Sequence, residues 1–340
     1  MRLPARPSLG KPLEPLPSSI DSEHDLGSAF STNVYVVEPE DIERIGNADA
    51  DQGVTETPQE TLNRELRSRV VQQVSAGVFE PPRLPDIAIE IMAAADDPDT
   101  SADALAKLIH RDQFLAVRVL RVANSAMYRP ADRRIFSLAQ AIARLGFRGA
   151  RDVVVAAALS QAVYQGPRPR LLSSYWRASV GSAVGFQLVE RVSGGNTDVA
   201  FLAGLLHNVG KPVLVWILDE LIQHRYKGQV EFDHVAHELI HLLHARTGAI
   251  IVGTWDAPKD MVDLISHHHD RLPPTKQRKA VRKLRLANLL WELWDEDPSV
   301  AVLNPSLADH SAFARCGLEQ DAARKILERY PERVAAMLAT

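Results

Sequence analysis

From about residue 59 onward, apolar residues recur at spacings of three and four, and strand-like alternation has almost no place. That property excludes the sheet-based nucleotide folds, and no Gly-rich phosphate loop of either common type is present. The expectation is an all-α protein. Thr61 to Val74 reads as a first helix, and Asp86 is expected to cap a second over Ile87 to Ala95. Ser101 opens a third that runs to His110, and Asp112 or Gln113 precedes a fourth, FLAVRVLRVAN. Ser137 is expected to cap LAQAIARLG, which Gly146 stops. The next piece, GARDVVVAAALSQAVY, is apolar on most sides and reads as a core helix. Longer helices are expected over 173–192, 198–222, 233–255, 258–268, 277–296 and 319–338, the last kinked or divided at Tyr330-Pro331.

The first 60 residues are a different regime. Pro4, Pro7, Pro12, Pro15 and Pro17 forbid a regular helix, and the one extended-looking piece, Asn33 to Val37, is too short to stand alone. This segment holds four Lys/Arg against twelve Asp/Glu, a net of −8, so the remaining 280 residues carry a net of +4 out of the total of −4. The body is therefore mildly basic, far from the bias of a dedicated nucleic-acid binder. The start lacks the apolar core of a signal peptide, and no run approaches the roughly 18 apolar residues of a membrane helix. Cys316 is the only cysteine, which rules out an intramolecular disulfide and a cysteine-based zinc site. These features predict a cytoplasmic protein.

Histidine is unevenly placed, with eight of the twelve between residues 224 and 269. HELIH (His237 to His241) spells the zinc-protease pattern HExxH, in which two histidines on one helix share a metal and the glutamate polarises water. His244 extends the stripe, and His267, His268 and His269 are nearby candidates for a third ligand. No strand precedes the helix to present a peptide, so a zinc metalloprotease is a remote reading. A second pattern carries more information. AGLLHNVGKPVL places His207 and Asn208 at the end of an apolar helix, and HARTG, TWDAP and ISHHHD follow. Together they imply a bundle that draws His207, His244 and the 267–269 cluster towards one centre.

These segments, in this order, resemble the HDOD domain, a degenerate relative of the HD and HD-GYP metal-dependent phosphohydrolases. The resemblance covers roughly residues 76–275. It includes Leu84-Pro85, Asp97-Pro98, Asp112, Asn124-Ser125, SLAQAIARLG, YWRAS, GLLHNVGK, HARTG, TWDAP and the histidine triplet. It implies a multi-helix HD-like bundle over 61–275, with an N-terminal half at 76–170 and an HD-like half at 171–275. An acidic, largely irregular tail precedes it (1–60) and a helical extension follows (276–340). Carried over residue by residue, the resemblance puts Ala178 at the first metal-binding histidine, Asn208 at the aspartate of the doublet and Asn288 at the late aspartate. A neutral amide cannot replace a bridging carboxylate, so no catalytic residues are expected. The resemblance leaves His207, His244, His268 and His269 as ligands for a single transition-metal ion at most; the alternative is a polar core of imidazoles bonded to one another and to backbone, with no cofactor. It also implies a helix break near His241 to Leu243, which would make HExxH an accident of composition.

Between Arg118 and Arg151 there are eight arginines and one acidic residue, Asp132. Arg129, Arg133, Arg134, Arg144, Arg148 and Arg151 form a candidate partner- or anion-binding face. No clustered aromatics accompany them to stack bases, so nucleotide or nucleic-acid binding is the weaker reading. LANLLWELW, with Leu286, Leu290, Trp291 and Trp294 on one side, is expected to pack on the body, with self-association as second choice. The resemblance implies a bacterial signalling role, here a non-catalytic regulatory scaffold working through protein contacts. The alternative is a residual metal-dependent phosphohydrolase or a cyclic-dinucleotide sensor using the histidines.

Overall fold

The computed structural model describes residues 57–128, 134–296 and 305–338. The expected tail and its NVYVV segment lie outside the described residues. The elements are α1 (Pro58–Ala76), α2 (Asp86–Asp96), α3 (Ala102–His110), α4 (Gln113–Ala123), α5 (Leu138–Ala162), α6 (Pro169–Val192), α7 (Thr197–Leu206), α8 (Gly210–Glu220), α9 (Phe232–Thr254), α10 (Lys259–His267), α11 (Arg278–Glu296), α12 (Ser311–Arg315) and α13 (Gln320–Leu338). No strand occurs among the described residues. The all-α reading holds.

Local signals account for most boundaries. Asp112 caps α4 by accepting from the Phe114 and Leu115 amides at 2.8 and 3.1 Å, and Ser101 caps α3 through the Ala104 amide. Asp86 does not cap α2: Pro85 holds that position and Asp86 is the first helical residue, where its charge still favours the helix N-terminus. Ser137 precedes α5 without a side-chain cap bond. The sequence reading also missed the capping box of α1, in which Thr57 and Glu60 bond to each other's backbone. Gly146, at φ 77°, breaks α5 into two pieces, a backbone state that a side chain would resist. The stretch 198–222, expected as one helix, is divided by a turn at 207–209 that separates α7 from α8. α13 runs through Pro331 undivided, because Tyr330 and Val334 are buried on either side of it.

Helix α6 is buried on nearly all sides over Ser179 to Glu190 and packs against α7, α11 and α13. The main apolar cluster therefore runs from Ile91 and Leu105 through Val180, Leu188 and Phe201 to Leu290, Trp291 and Tyr330. LANLLWELW packs on the body, as its apolar stripe predicted. A second cluster joins α1, α8 and α9 through Leu66, Val70, Leu214, Leu239 and Leu243. One stretch, Val199–Arg225, is long and apolar enough to cross a membrane by length and composition alone, but 78% of its most apolar 18-residue window is buried inside the fold.

Candidate metal centre

Helix α9 runs continuously from Phe232 to Thr254, so the expected break at 241–243 is absent. Leu239, Ile240, Leu243 and Thr247 are buried at helical spacing, and that packing sustains the helix through the segment. HExxH thus lies on one helix, yet its parts diverge. His237 is exposed, and Glu238 forms an ion pair with Arg67 of α1 at 2.9 Å. The histidine that α9 buries completely is His244.

The turn after α7 places His207 inside the protein, with Nδ1 2.8 Å from the Gly204 carbonyl. Gly210 then lets α8 pass α9 backbone to backbone: a Cβ there would strike the His244 carbonyl oxygen. His268 and His269 follow α10, on a loop that Arg285 of α11 holds by donating to the His268 carbonyl at 3.0 Å and the Asp270 carbonyl at 2.5 Å. His244 Nδ1 lies 2.9 and 2.8 Å from the Ile240 and His241 carbonyls, and His268 Nδ1 lies 2.6 Å from the Ile265 carbonyl.

Those contacts fix the tautomers. A carbonyl oxygen only accepts, so Nδ1 of His207, His244 and His268 carries the proton and donates. The lone pair of each ring therefore sits on Nε2. His244 Nε2 is 3.3 Å from His268 Nε2 and 3.0 Å from His269 Nε2. Burial holds His244, His268 and His269 well below the usual imidazole range and pushes His207 down to about 3. Neutral His244 and His268 thus point lone pair at lone pair. Ligand atoms of His244, His268 and His269 all lie within 4.8 Å of one another, while His207 stands just outside this triad, its ring 5.1 Å from that of His268. His207 Nε2 is buried with no hydrogen-bond partner among the described residues.

This donor set fits one ion. Zn–N bonds of roughly 2.0–2.1 Å in a tetrahedral site separate ligand nitrogens by about 3.3 Å, close to the 3.0 and 3.3 Å found. It does not fit a carboxylate-bridged pair of ions. Ala178 is a half-buried core residue on α6, and Asn208 and Asn288 offer only amide oxygens, both buried without a partner. The sequence reading missed Lys211 and Glu292. Half-buried Lys211, on the first turn of α8, lowers the proton affinity of His207, His241, His244, His268 and His269. Burial brings Lys211 itself down to about 8, and the Glu292 carboxylate of α11 opposes that fall. The lysine had a local signal in GLLHNVGK. Glu292 had none, because 81 residues separate it from Lys211.

The arginines of the predicted face have different surroundings where they are described. Arg129 and Arg133 lie outside the described residues, and Arg134 is exposed. Arg144 donates to the Ala123 carbonyl, and buried Arg151 bonds to Asp96 at 2.8 Å and Asp152 at 3.2 Å. Arg148 lines a cavity with Arg151.

The HDOD domain family profile matches residues 82–271, more than half of the chain. The chain belongs to the HDOD domain family. Its helical arrangement is similar to crystal structures of a Shewanella amazonensis SB2B protein described provisionally as a metal-dependent phosphohydrolase (19% identity, TM-score 0.60, covering 82% of this chain and 99% of that one). A Geobacter sulfurreducens HDOD domain protein is similar as well (24%, TM-score 0.55, 80% and 95%). So is a Marinobacter aquaeolei VT8 protein described provisionally as a signal transduction protein (19%, TM-score 0.55, 91% and 67%). An uncharacterized Treponema pallidum (strain Nichols) protein is 23% identical over 261 residues, and the chain spans 50% of its length. Two HDOD segments quoted from the sequence have structural roles here. Asn124 clamps the loop before α5 by exchanging bonds with Ile135 at 2.7 and 2.9 Å, and Trp255 donates to the Pro82 carbonyl at 2.9 Å, joining the two ends of the domain.

Proposed function

We propose that this chain is a signalling module whose histidine centre holds one transition-metal ion as a structural or regulatory element and does not hydrolyse phosphodiesters. The opposed Nε2 atoms of His244 and His268 carry this reading, because a shared cation relieves two lone pairs that no proton bridges. His269 completes the set, and His207 stands by as a fourth donor. Bound there, an ion would supply charge and rigidity. Without a histidine at 178 and carboxylates at 208 and 288 it lacks the partners that bridge a second ion and neutralise a phosphodiester. The provisional description of the Marinobacter protein supports a signalling role, and our reading adds that the signal passes by protein contact in a cytoplasmic setting. In this reading residues 61–275 form the signalling domain and 276–340 its extension.

Lys211 favours a second reading, nucleotide sensing at the same centre, since its positive charge acts on the histidines and would favour an anion there. Metal analysis of untagged protein, paired with a phosphodiesterase assay in manganese and in iron, separates the possibilities. The expected result is one ion per chain and no turnover. Metal-dependent turnover would sink the non-catalytic reading, and metal-free protein would sink the metal centre.

A further inference from the structure

A cavity of about 220 Å³ lies between α5, α6, α7 and α13 and shares no lining residue with the histidine centre. Among the described residues, four arginines line it, Arg148, Arg151, Arg191 and Arg333, against a single carboxylate, Asp152. That carboxylate is already engaged, accepting from Arg151 at 3.2 Å and from Gln187 at 2.8 Å. Arg151 is also met by Asp96 at 2.8 Å, which leaves Arg191 and Arg333 as the guanidinium groups with no ion-pair partner among the described residues. Arg333 is the sharpest case: its Nε is buried with no hydrogen-bond partner among the described residues. Burial lowers its proton affinity, Tyr128 opposes that fall, and neighbouring Arg191 and Arg329 add to it. A guanidinium set in such surroundings is costly unless an anion meets it.

We propose that this cavity binds a small phosphorylated molecule, with Arg333 and Arg191 holding the phosphate and Phe201, Val184 and Met337 covering its organic part. Planar guanidinium forks match phosphate oxygens two at a time, which favours phosphate over a single carboxylate. The volume suits a compact ligand and not a macromolecular segment. Arg333 and Met337 come from α13, beyond the matched residues 82–271, so the extension completes a cavity whose other walls belong to the family domain.

Calorimetric titration of the full chain with inorganic pyrophosphate and with ribose 5-phosphate tests this. Both ligands should bind, ribose 5-phosphate the tighter of the two. Arg191→Gln and Arg333→Gln should each weaken binding about tenfold or more, and sulfate should compete. Arg191 is exposed at the end of α6, so its substitution keeps the test valid even if Arg333→Gln disturbs folding. Affinity unchanged in Arg191→Gln, or binding that survives both arginine variants and disappears in Lys211→Met, would overturn the proposal. So would the absence of heat at millimolar ligand.

Discussion

His244 and His268 meet Nε2 to Nε2 at 3.3 Å, each with its Nδ1 proton already given to a backbone carbonyl. A shared cation is the simplest resolution of that arrangement. His244→Ala or His268→Ala should therefore abolish the ion found in the parent protein, while His237→Ala, altering an exposed residue, should keep it. Saturating zinc at about a hundred times its Kd should stabilise the parent by about 2.7 kcal/mol and the two inner variants by none. Emission spectrometry and thermal unfolding with and without zinc check this.

The metal-free protein should lose stability in acid. His207 is held at about 3 and His241 at about 4, and both return to about 6.5 when the chain unfolds. Between those limits the unfolded state takes up protons that the folded centre refuses, so stability rises with pH in this window. It should be flat with respect to these groups above about 6.5 and fall steadily towards pH 4. Urea midpoints in chelator across pH 4–8 report it. A level profile down to pH 4.5 would contradict the burial of neutral imidazoles.

Asn208→Asp restores a carboxylate next to His207. In metal-free protein it should cost about 1–3 kcal/mol, the penalty of a buried polar group without adequate partners. With metal present it should raise affinity at least tenfold. It should not create phosphodiesterase activity, because Ala178 and Asn288 remain. Turnover from this single change would show that the missing charge at 208 alone blocks catalysis.

Trp291 of α11 is 6% exposed and lies against Gly181 of the central helix, where a Cβ would overlap its ring. Trp291→Ala should destabilise the protein by about 3–5 kcal/mol. Denaturation followed by circular dichroism measures that loss. A change within a few tenths of a kcal/mol would mean that α11 is not part of the cooperative core.

Lys283 and Glu190 form a pair at 2.8 Å with side chains only 15% and 10% exposed. Lys283→Met leaves Glu190 buried without its cation and should cost about 3–5 kcal/mol. The double change Lys283→Met with Glu190→Leu should recover much of that loss, since the desolvation penalty goes with the charges. A double-mutant cycle on urea midpoints decides the point.

What the sequence determined by itself was local or periodic. Apolar spacing specified the helices, Asp112 and Ser101 marked starts, Gly146 marked a stop, and the ordered segments from Leu84-Pro85 to the histidine triplet pointed to the HDOD family. Where local signals misled, packing had the final word: α9 stays whole because Leu239, Ile240, Leu243 and Thr247 bury together, and α13 passes Pro331 because its neighbours are locked in the core. The histidines were visible as a group, but their tautomers were not. Those depend on which nitrogen finds a helix carbonyl, a matter of side-chain direction that spacing does not encode. Glu292 beside Lys211 and Arg333 beside Arg191 were beyond any sequence pattern, since each pair joins helices far apart in the chain. Only the tertiary structure decided which charges meet, because electrostatic partnership follows distance in space.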